Sequence, residues 1–492
     1  MILKLLALLL SLCFAMGTFA GCGEKESNKE ETKTTDSVVE TEEDASHLYD
    51  ANGYLKDTIP EGTDLDETIK ILCWITSQVD EFGLDKEKED VITTAFRNRN
   101  VAVQERLNVT LEFNQILGDN PNQKSFVDTV INSIMADGNG YDLIGCYSMV
   151  GGTLATKGVL TDLYSLEYPD LDKPWWSDML GELSEIGGKL YFASGDISGE
   201  ALYNMMFLLY NADMGEGLGL DDPRKMVLDG TWTLEEMFRM TTDVYMDYNH
   251  DGVKNSGDKF GLLLASQVNI EGFFYGCGYA MTESDEEGNI VLSKAFKGTE
   301  THDLLTRLTG FIYGTDYAFY ENSNQNARKG DGLLSTANAA SFKYIKEMGW
   351  NYSLMTYPKL NVKQERYYSA LGFGYSNYCI PISAASASRS AIVMECMASE
   401  SYRKSTPAIF DATFLQYAGD NLDWQIFNLI KEGMVSDHTR IFSSSFTWKN
   451  SALGLFRNCV INNTAGSWTS DLKNQIEYIE GKFASIMTGS DS

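Results

Sequence analysis

Asp247, Asn249, Asp251, Asn255 and Asp258 put an oxygen-bearing side chain at positions one, three, five, nine and twelve of a loop whose sixth residue is Gly252. A hard cation such as Ca²⁺ prefers several oxygens at about 2.3–2.6 Å, and a glycine at position six permits the sharp turn that folds them inward. Val253, at position seven, would add its backbone carbonyl. Two residues depart from the usual calcium loop: Asp258 stands where a longer, bidentate glutamate is common, and Lys254 where an apolar residue normally packs behind the loop. The chemistry expected is Ca²⁺ binding at the weak affinity of extracellular sites, on the order of 10⁻⁴–10⁻³ M. The competing expectation for the same residues is a surface turn rich in Asn, Asp and Gly that holds no metal.

Aromatic rings carry a second chemistry. A sugar offers flat C–H faces that pack on rings, while its hydroxyls need paired donors and acceptors. Trp74, Tyr147, Trp175, Trp176, Asp196, Tyr275, Tyr279, Trp350 and Tyr357 are the candidates, rings in polar company and one carboxylate. Core packing competes for each ring. Trp232 precedes the capping box Thr233 to Glu236 and reads as packing at a helix start. Reactive groups are sparse: the four histidines are His47, His250, His302 and His438, and no Gly-x-Ser-x-Gly, HExxH or P-loop occurs. No catalytic residue is therefore expected. A glycoside hydrolase would need two carboxylates held about 5–10 Å apart, which an acidic sequence cannot reveal.

The N-terminus says where this chemistry would operate. Lys4, the apolar run Leu5 to Met16, and Phe19-Ala20-Gly21-Cys22 form an export signal too short to span a bilayer, which takes about 20 apolar residues. The end of the signal resembles the lipobox of bacterial lipoproteins, with Phe19 where an aliphatic residue is preferred. Residues 1–21 would be removed and Cys22 would carry the lipid, palmitate among its acyl chains. An ordinary secretory signal cut nearby is the alternative. Residues 22–66 are rich in Glu, Lys, Thr, Ser and Asp, and read as a disordered acidic tether. The formal net charge is −31, with 43% hydrophobic and 12% aromatic residues. Such a surface repels nucleic acid and anionic lipid headgroups and favours neutral or cationic partners. Cys73, Cys146, Cys277, Cys379, Cys396 and Cys459 are scattered in apolar settings and read as buried free thiols, although an exported chain could form a bridge.

The elements that must position these residues follow an alternating grammar. Thr68–Trp74 reads as a buried strand, Asp90 to Asn108 as an amphipathic helix, Val109–Ile116 as a strand, Ser125 to Ala136 as a helix and Tyr141–Tyr147 as a strand. This is a parallel sheet covered by helices, whose ligands sit beyond the C-terminal strand ends, where Trp74 and Tyr147 stand. The pattern changes after Trp175 and returns at Tyr378 to Ile380, as a second α/β lobe inserted into the first would require.

Several local patterns, in order, carry a resemblance: Arg97 to Asn100 with Gln104 to Val109, Gly187 to Tyr191, Gly195-Asp196, Leu209 to Asp213, Gly230 to Thr233, Tyr357-Pro358-Lys359 and Gln364 to Tyr367. Together they resemble the extracellular solute-binding proteins of family 1, which serve bacterial ABC importers, mostly for carbohydrates. The resemblance implies an α/β, two-lobed periplasmic-binding-protein-like fold with a ligand cleft between the lobes, and a calcium loop, where present, of structural role. Lobe 1 would take residues 67–172 and 364–431, and lobe 2 residues 173–363 and 432–492 with the loop 247–258. It further implies a monomeric lipoprotein on the outer face of the cell membrane. Hinge closure would capture a neutral mono- or oligosaccharide and deliver it to ABC permease subunits. A carbohydrate-active enzyme and a surface adhesin without a cleft ligand are the alternatives.

Overall fold

The computed structural model describes residues 48–136, 140–323, 329–341, 349–415 and 421–488. The export signal, Cys22 and the first part of the expected tether lie outside the described residues. From Tyr54 onward the chain forms one compact unit.

Glu67–Trp74 (β1), Val109–Ile116 (β2) and Leu143–Tyr147 (β3) open the chain as parallel neighbours, with β1 in the middle. The apolar run in β1 buries Ile69, Ile71, Leu72, Cys73 and Trp74, as a strand covered on both faces demands. The helix Val91–Leu107 joins β1 to β2. Asp90 caps it by accepting the Thr93 N–H at 2.9 Å, and Asn108 ends it in the left-handed conformation (φ 49°). Gln123–Met135 returns the chain toward β3.

The middle of the chain builds a second sheet from Met206–Asn211 (β4), Tyr245–Met246 (β5) and Lys259–Leu264 (β6). A separate hairpin, Thr282–Ser284 (β7) with Ile290–Leu292 (β8), follows. Ala318–Tyr320 (β9), Gly332–Asn338 (β10) and Tyr352–Met355 (β11) then complete that sheet in the order β11-β4-β10-β6-β5, with β9 also on β6. Two short strands come next, Ser369–Ala370 (β12) and Ser376–Cys379 (β13), and later Met434–Val435 (β14). β13 pairs antiparallel with β3, so the chain returns to the first sheet after building the second, and β12 pairs with β14 beside the crossing. This is the two-lobed α/β architecture expected from the alternation. Among the described residues no helix is long and apolar enough to cross a membrane, and the six cysteines outside the N-terminal segment are all buried free thiols.

Part of the expected tether is ordered. Residues 54–66 lie against the folded chain, with Ile59 4% exposed and Asp57 paired with Arg106 and Arg403. Two arginines converging on one carboxylate, which also accepts from Ser399 Oγ at 2.7 Å, hold a segment whose composition alone could not. These partners keep the Asp57 carboxyl below the usual carboxylate range despite its burial.

Candidate ligand cleft

A cavity of ≈ 330 Å³ opens beyond the C-terminal ends of the strands. Tyr147 and Met149 reach it from the end of β3, Asn120 from beyond β2, Gln267 from beyond β6, and Trp448 and Arg457 from the helical segment near the C-terminus. Both sheets thus contribute to one site, the arrangement expected of open α/β sheets. Phe373, between β12 and β13, adds an apolar wall, and its carbonyl accepts the Ser148 hydroxyl at 2.6 Å.

Trp448 decides what the cavity can hold. Of the eight tryptophans it alone is exposed, at 39%. Behind it lies Arg457, 2% exposed, whose guanidinium carbon sits 4.6 Å from the Trp448 ring centroid and 5.8 Å from that of Phe373. Arg457 and Arg440 converge on Glu271: Arg440 Nη2 donates to Oε2 at 2.8 Å, and Arg457 Nε is paired with Oε1. Arg440 and Glu271 are themselves buried, at 1% and 0% exposure of their side chains. Hydroxyl and amide groups of Ser443, Ser444, Ser451, Asn120 and Gln267, with the ring of Phe446, complete the lining.

The sequence candidates fall into separate places. Tyr147 lines the cavity and Trp74 packs edge-on behind it at 5.2 Å, its indole N–H donating to Ser376 Oγ at 2.6 Å. Trp175 and Trp176 are buried elsewhere and both donate to Glu395, at 3.0 and 2.8 Å. Beside them, Gly195 (φ 157°) approaches the Trp175 carbonyl so closely that a Cβ would stand 2.2 Å from it. Asp196 is ion-paired with Lys431 at 2.7 Å and accepts from Thr406. Trp175, Trp176 and Asp196 line a smaller cavity of ≈ 210 Å³ with Arg366 and Lys431. Tyr275 lies in the core beneath Arg440, and Tyr357 is buried with its hydroxyl on the Asn269 carbonyl at 2.8 Å. Tyr279 packs on Phe274, and Trp350 on Tyr352 in the second lobe. The structure therefore brings together Trp74 and Tyr147, and separately Trp175, Trp176 and Asp196.

Sequence reasoning passed over Trp448, Arg457, Phe373 and Gln267. Two signals were present. Phe446-Thr447-Trp448-Lys449-Asn450-Ser451 is an aromatic pair in polar company, and Arg457 is the one charged residue of the mostly apolar helix Ala452–Ile461.

The acidic loop is locally well defined. Asp247 accepts the N–H groups of Asp251 and Gly252 at 3.2 and 3.0 Å, and Asn249 that of Asp251 at 3.0 Å. The Asn255 amide donates to Asp251 Oδ2 and to the Val253 carbonyl, at 2.7 and 2.9 Å. Asp258 is fully buried: Oδ2 accepts from Tyr245 and from the Asn255 N–H, whereas Oδ1 has no hydrogen-bond partner. An orphaned buried carboxylate oxygen is what a hard cation satisfies, so Asp258 offers one ligand of the kind the ion needs, while the Asn255 amide N–H groups fill the space between Asp251 and Val253. The loop's oxygens are of mixed type; no three His, Cys, Asp or Glu side chains among the described residues converge as metal ligands. Lys254 turns away from the loop and donates to the carbonyls of Ile312 and Thr315, at 3.0 and 2.6 Å, where the helix Thr299–Gly314 ends.

No family model and no curated protein matches the chain. Solved structures are similar in fold. A cyclo/maltodextrin-binding protein complexed with maltotetraose superposes with a TM-score of 0.54 at 12% identity, over 86% of this chain and 97% of the other. The maltose/maltodextrin-binding domain MalE from Bdellovibrio bacteriovorus, bound to maltotriose, gives 0.46 at 14% identity, over 83% and 99%. The ABC substrate-binding protein Lmo0181 from Listeria monocytogenes, in complex with cycloalternan, gives 0.49 at 13%, over 85% and 99%. At 12% identity the likeness to the first of these is one of fold, and this chain has the two-lobed α/β fold of that maltodextrin-binding protein.

Proposed function

We propose that the protein is a substrate-binding lipoprotein of a bacterial ABC importer, and that its cleft captures a mono- or oligosaccharide by hinge closure. The observation that carries this reading is Trp448, an exposed ring over a cavity rimmed by hydroxyls and side-chain amides. Flat apolar surface edged by hydroxyls and amides is the complement of a pyranose. The fold likeness to a protein bound to maltotetraose supports the same ligand class. Binding rather than hydrolysis is supported by the lining, in which no carboxylate, thiol or imidazole occurs among the described residues, whereas glycoside hydrolysis takes two carboxylates. Cys22 would anchor the protein to the outer face of the membrane, as a monomer that delivers its sugar to separate permease subunits.

Calorimetry of the exported chain against an oligosaccharide panel tests the reading. Saturable binding without product is expected, with compaction in small-angle scattering, and Trp448→Ala should weaken it roughly tenfold, the worth of one stacked ring. Turnover of any oligosaccharide would establish the enzyme instead, and no binding with no compaction would favour an adhesin. Mass spectrometry of the N-terminal peptide from the producing cell tests the anchor, which predicts a diacylglyceryl-modified Cys22.

We further propose that Asp247, Asn249, Asp251, Val253, Asn255 and Asp258 hold a structural Ca²⁺. Millimolar Ca²⁺ should then raise the melting temperature, and Asp258→Asn should abolish that rise. Equal melting with Ca²⁺ and with a chelator would leave the loop a metal-free turn.

A further inference from the structure

We infer that the sugar taken by this cleft is acidic, a uronate-type saccharide whose carboxylate bonds Arg457. This rests on the reading of the cleft as a saccharide site and replaces the expectation of a neutral sugar with a charged one. That expectation came from the net charge of −31. Net charge describes the outer surface and steers encounters over tens of ångströms, but a ligand inside a cavity responds to the groups that line it. Among the lining residues one is charged, and it is a cation, Arg457.

The guanidinium is also short of acceptors. Arg457 is 2% exposed, and its Nη2 has no hydrogen-bond partner. Its carboxylate neighbour Glu271 is shared with Arg440, so two guanidiniums compete for one anion. Arg440 leaves Nε and Nη1 unpartnered as well. Asp437 is the other buried acid near Arg440, but its oxygens accept from Met281 N at 2.7 Å and from the backbone N–H and hydroxyl of Thr439. None of these bonds involves Arg457. Burial most of all works against the Arg457 charge, Glu271 favours it, and the proximity of Arg440 opposes it.

A buried cation with a free N–H is a costly arrangement that an anionic acceptor repairs. A planar carboxylate matches the planar guanidinium. Both residues line the one cavity, with the guanidinium over one face of the Trp448 ring, so a pyranose held there against the exposed part of the ring could set a C6 carboxylate toward Arg457. A neutral sugar has a C6 hydroxyl there, which makes a weaker bond and leaves the charge uncompensated.

The experiment is calorimetry of the exported chain at low and at 0.5 M salt. The probes are uronate oligosaccharides (galacturonate, glucuronate and mannuronate series), each paired with its methyl ester, together with maltotriose as a neutral control. At least one acid should bind roughly tenfold or more tighter than its ester. The preference should survive salt because the pair is buried. Arg457→Gln should remove the preference, and Arg457→Lys should keep part of it. The acid-versus-ester comparison needs no variant, so it decides the matter even if the substitutions unfold the protein. Tight neutral binding with acid and ester equal would overturn this inference and leave the saccharide reading standing. No binding of any saccharide would overturn both.

Discussion

Glu271→Ala is expected to destabilise the protein by about 3–5 kcal/mol, the largest loss foreseen for any single side chain near the cleft. Glu271 is the first residue of the helix Glu271–Gly276 and is fully buried. Its two oxygens meet Arg440 and Arg457, whose side chains are 1% and 3% exposed. Removing the carboxylate leaves two guanidiniums packed beside each other with no counter-charge, and the low dielectric that strengthens an ion pair strengthens their repulsion equally. The rings of Tyr275 and Phe373 against Arg440, and of Trp448 and Phe373 against Arg457, recover only part of this. Urea unfolding followed by circular dichroism measures the loss as a lower midpoint at unchanged slope. Glu271→Gln should cost less, since the amide oxygen still accepts from one arginine. A loss for Glu271→Ala under about 1 kcal/mol would show that water already compensates the pair.

The same cluster shows where sequence reading succeeds and where it stops. Local patterns sufficed for the first sheet. The alternation and apolar run that define β1 and β2, and the Asp90 cap and Asn108 stop that bracket the helix between them, are written within a few residues of where they act. The second sheet was harder, because β4, β10 and β11 pair antiparallel in an order unrelated to their sequence order, and short strands such as β5 and β9 have too few residues to show a period. The site was least legible. Trp175 and Trp176 look like ring platforms in sequence, yet both indoles are spent on Glu395, some 220 residues away in the chain. Trp448 looks no different from them, and only the fold leaves it exposed. The tether failed for a similar reason: Asp57 is an ordinary acidic residue until Arg106 and Arg403 arrive from two distant helices.

Glu200→Gln should flatten the dependence of stability on pH between about 5 and 8. Glu200 is fully buried near the start of the helix Gly199–Asn204, which leads into β4 of the second sheet. Its Oε1 accepts the backbone N–H groups of Ser77, Gln78 and Val79, at 2.6, 2.5 and 3.3 Å, and so ties the segment after β1 to the approach to β4. Burial, and then the charge of neighbouring Glu81, push its carboxyl up to about 8. Glu81 accepts from Ser376, Ser198, Tyr378 and the Glu200 N–H, which offset part of the burial that raises its own carboxyl as well. The unfolded chain releases the Glu200 proton near the ordinary glutamate value of 4.5. The folded state therefore binds more protons than the unfolded state between these values, and stability falls as pH rises. The contribution is complete below about 4.5 and is lost as pH passes the folded value near 8. An amide in this place keeps the Oε1 acceptor and cannot ionise. Glu395, pushed up to about 7 by burial, titrates in both proteins and cancels from the comparison. Melting temperatures of the two proteins should converge near pH 5 and separate toward pH 8, with the variant higher by the equivalent of a few kcal/mol. Parallel profiles would mean that Glu200 is ionised in the folded protein and that the Ser77–Val79 amides alone offset its burial. A separation that opens as predicted would make this link between the segment after β1 and the approach to β4 weakest in alkaline surroundings, and the same titration repeated with bound sugar would show whether ligand binding draws on it.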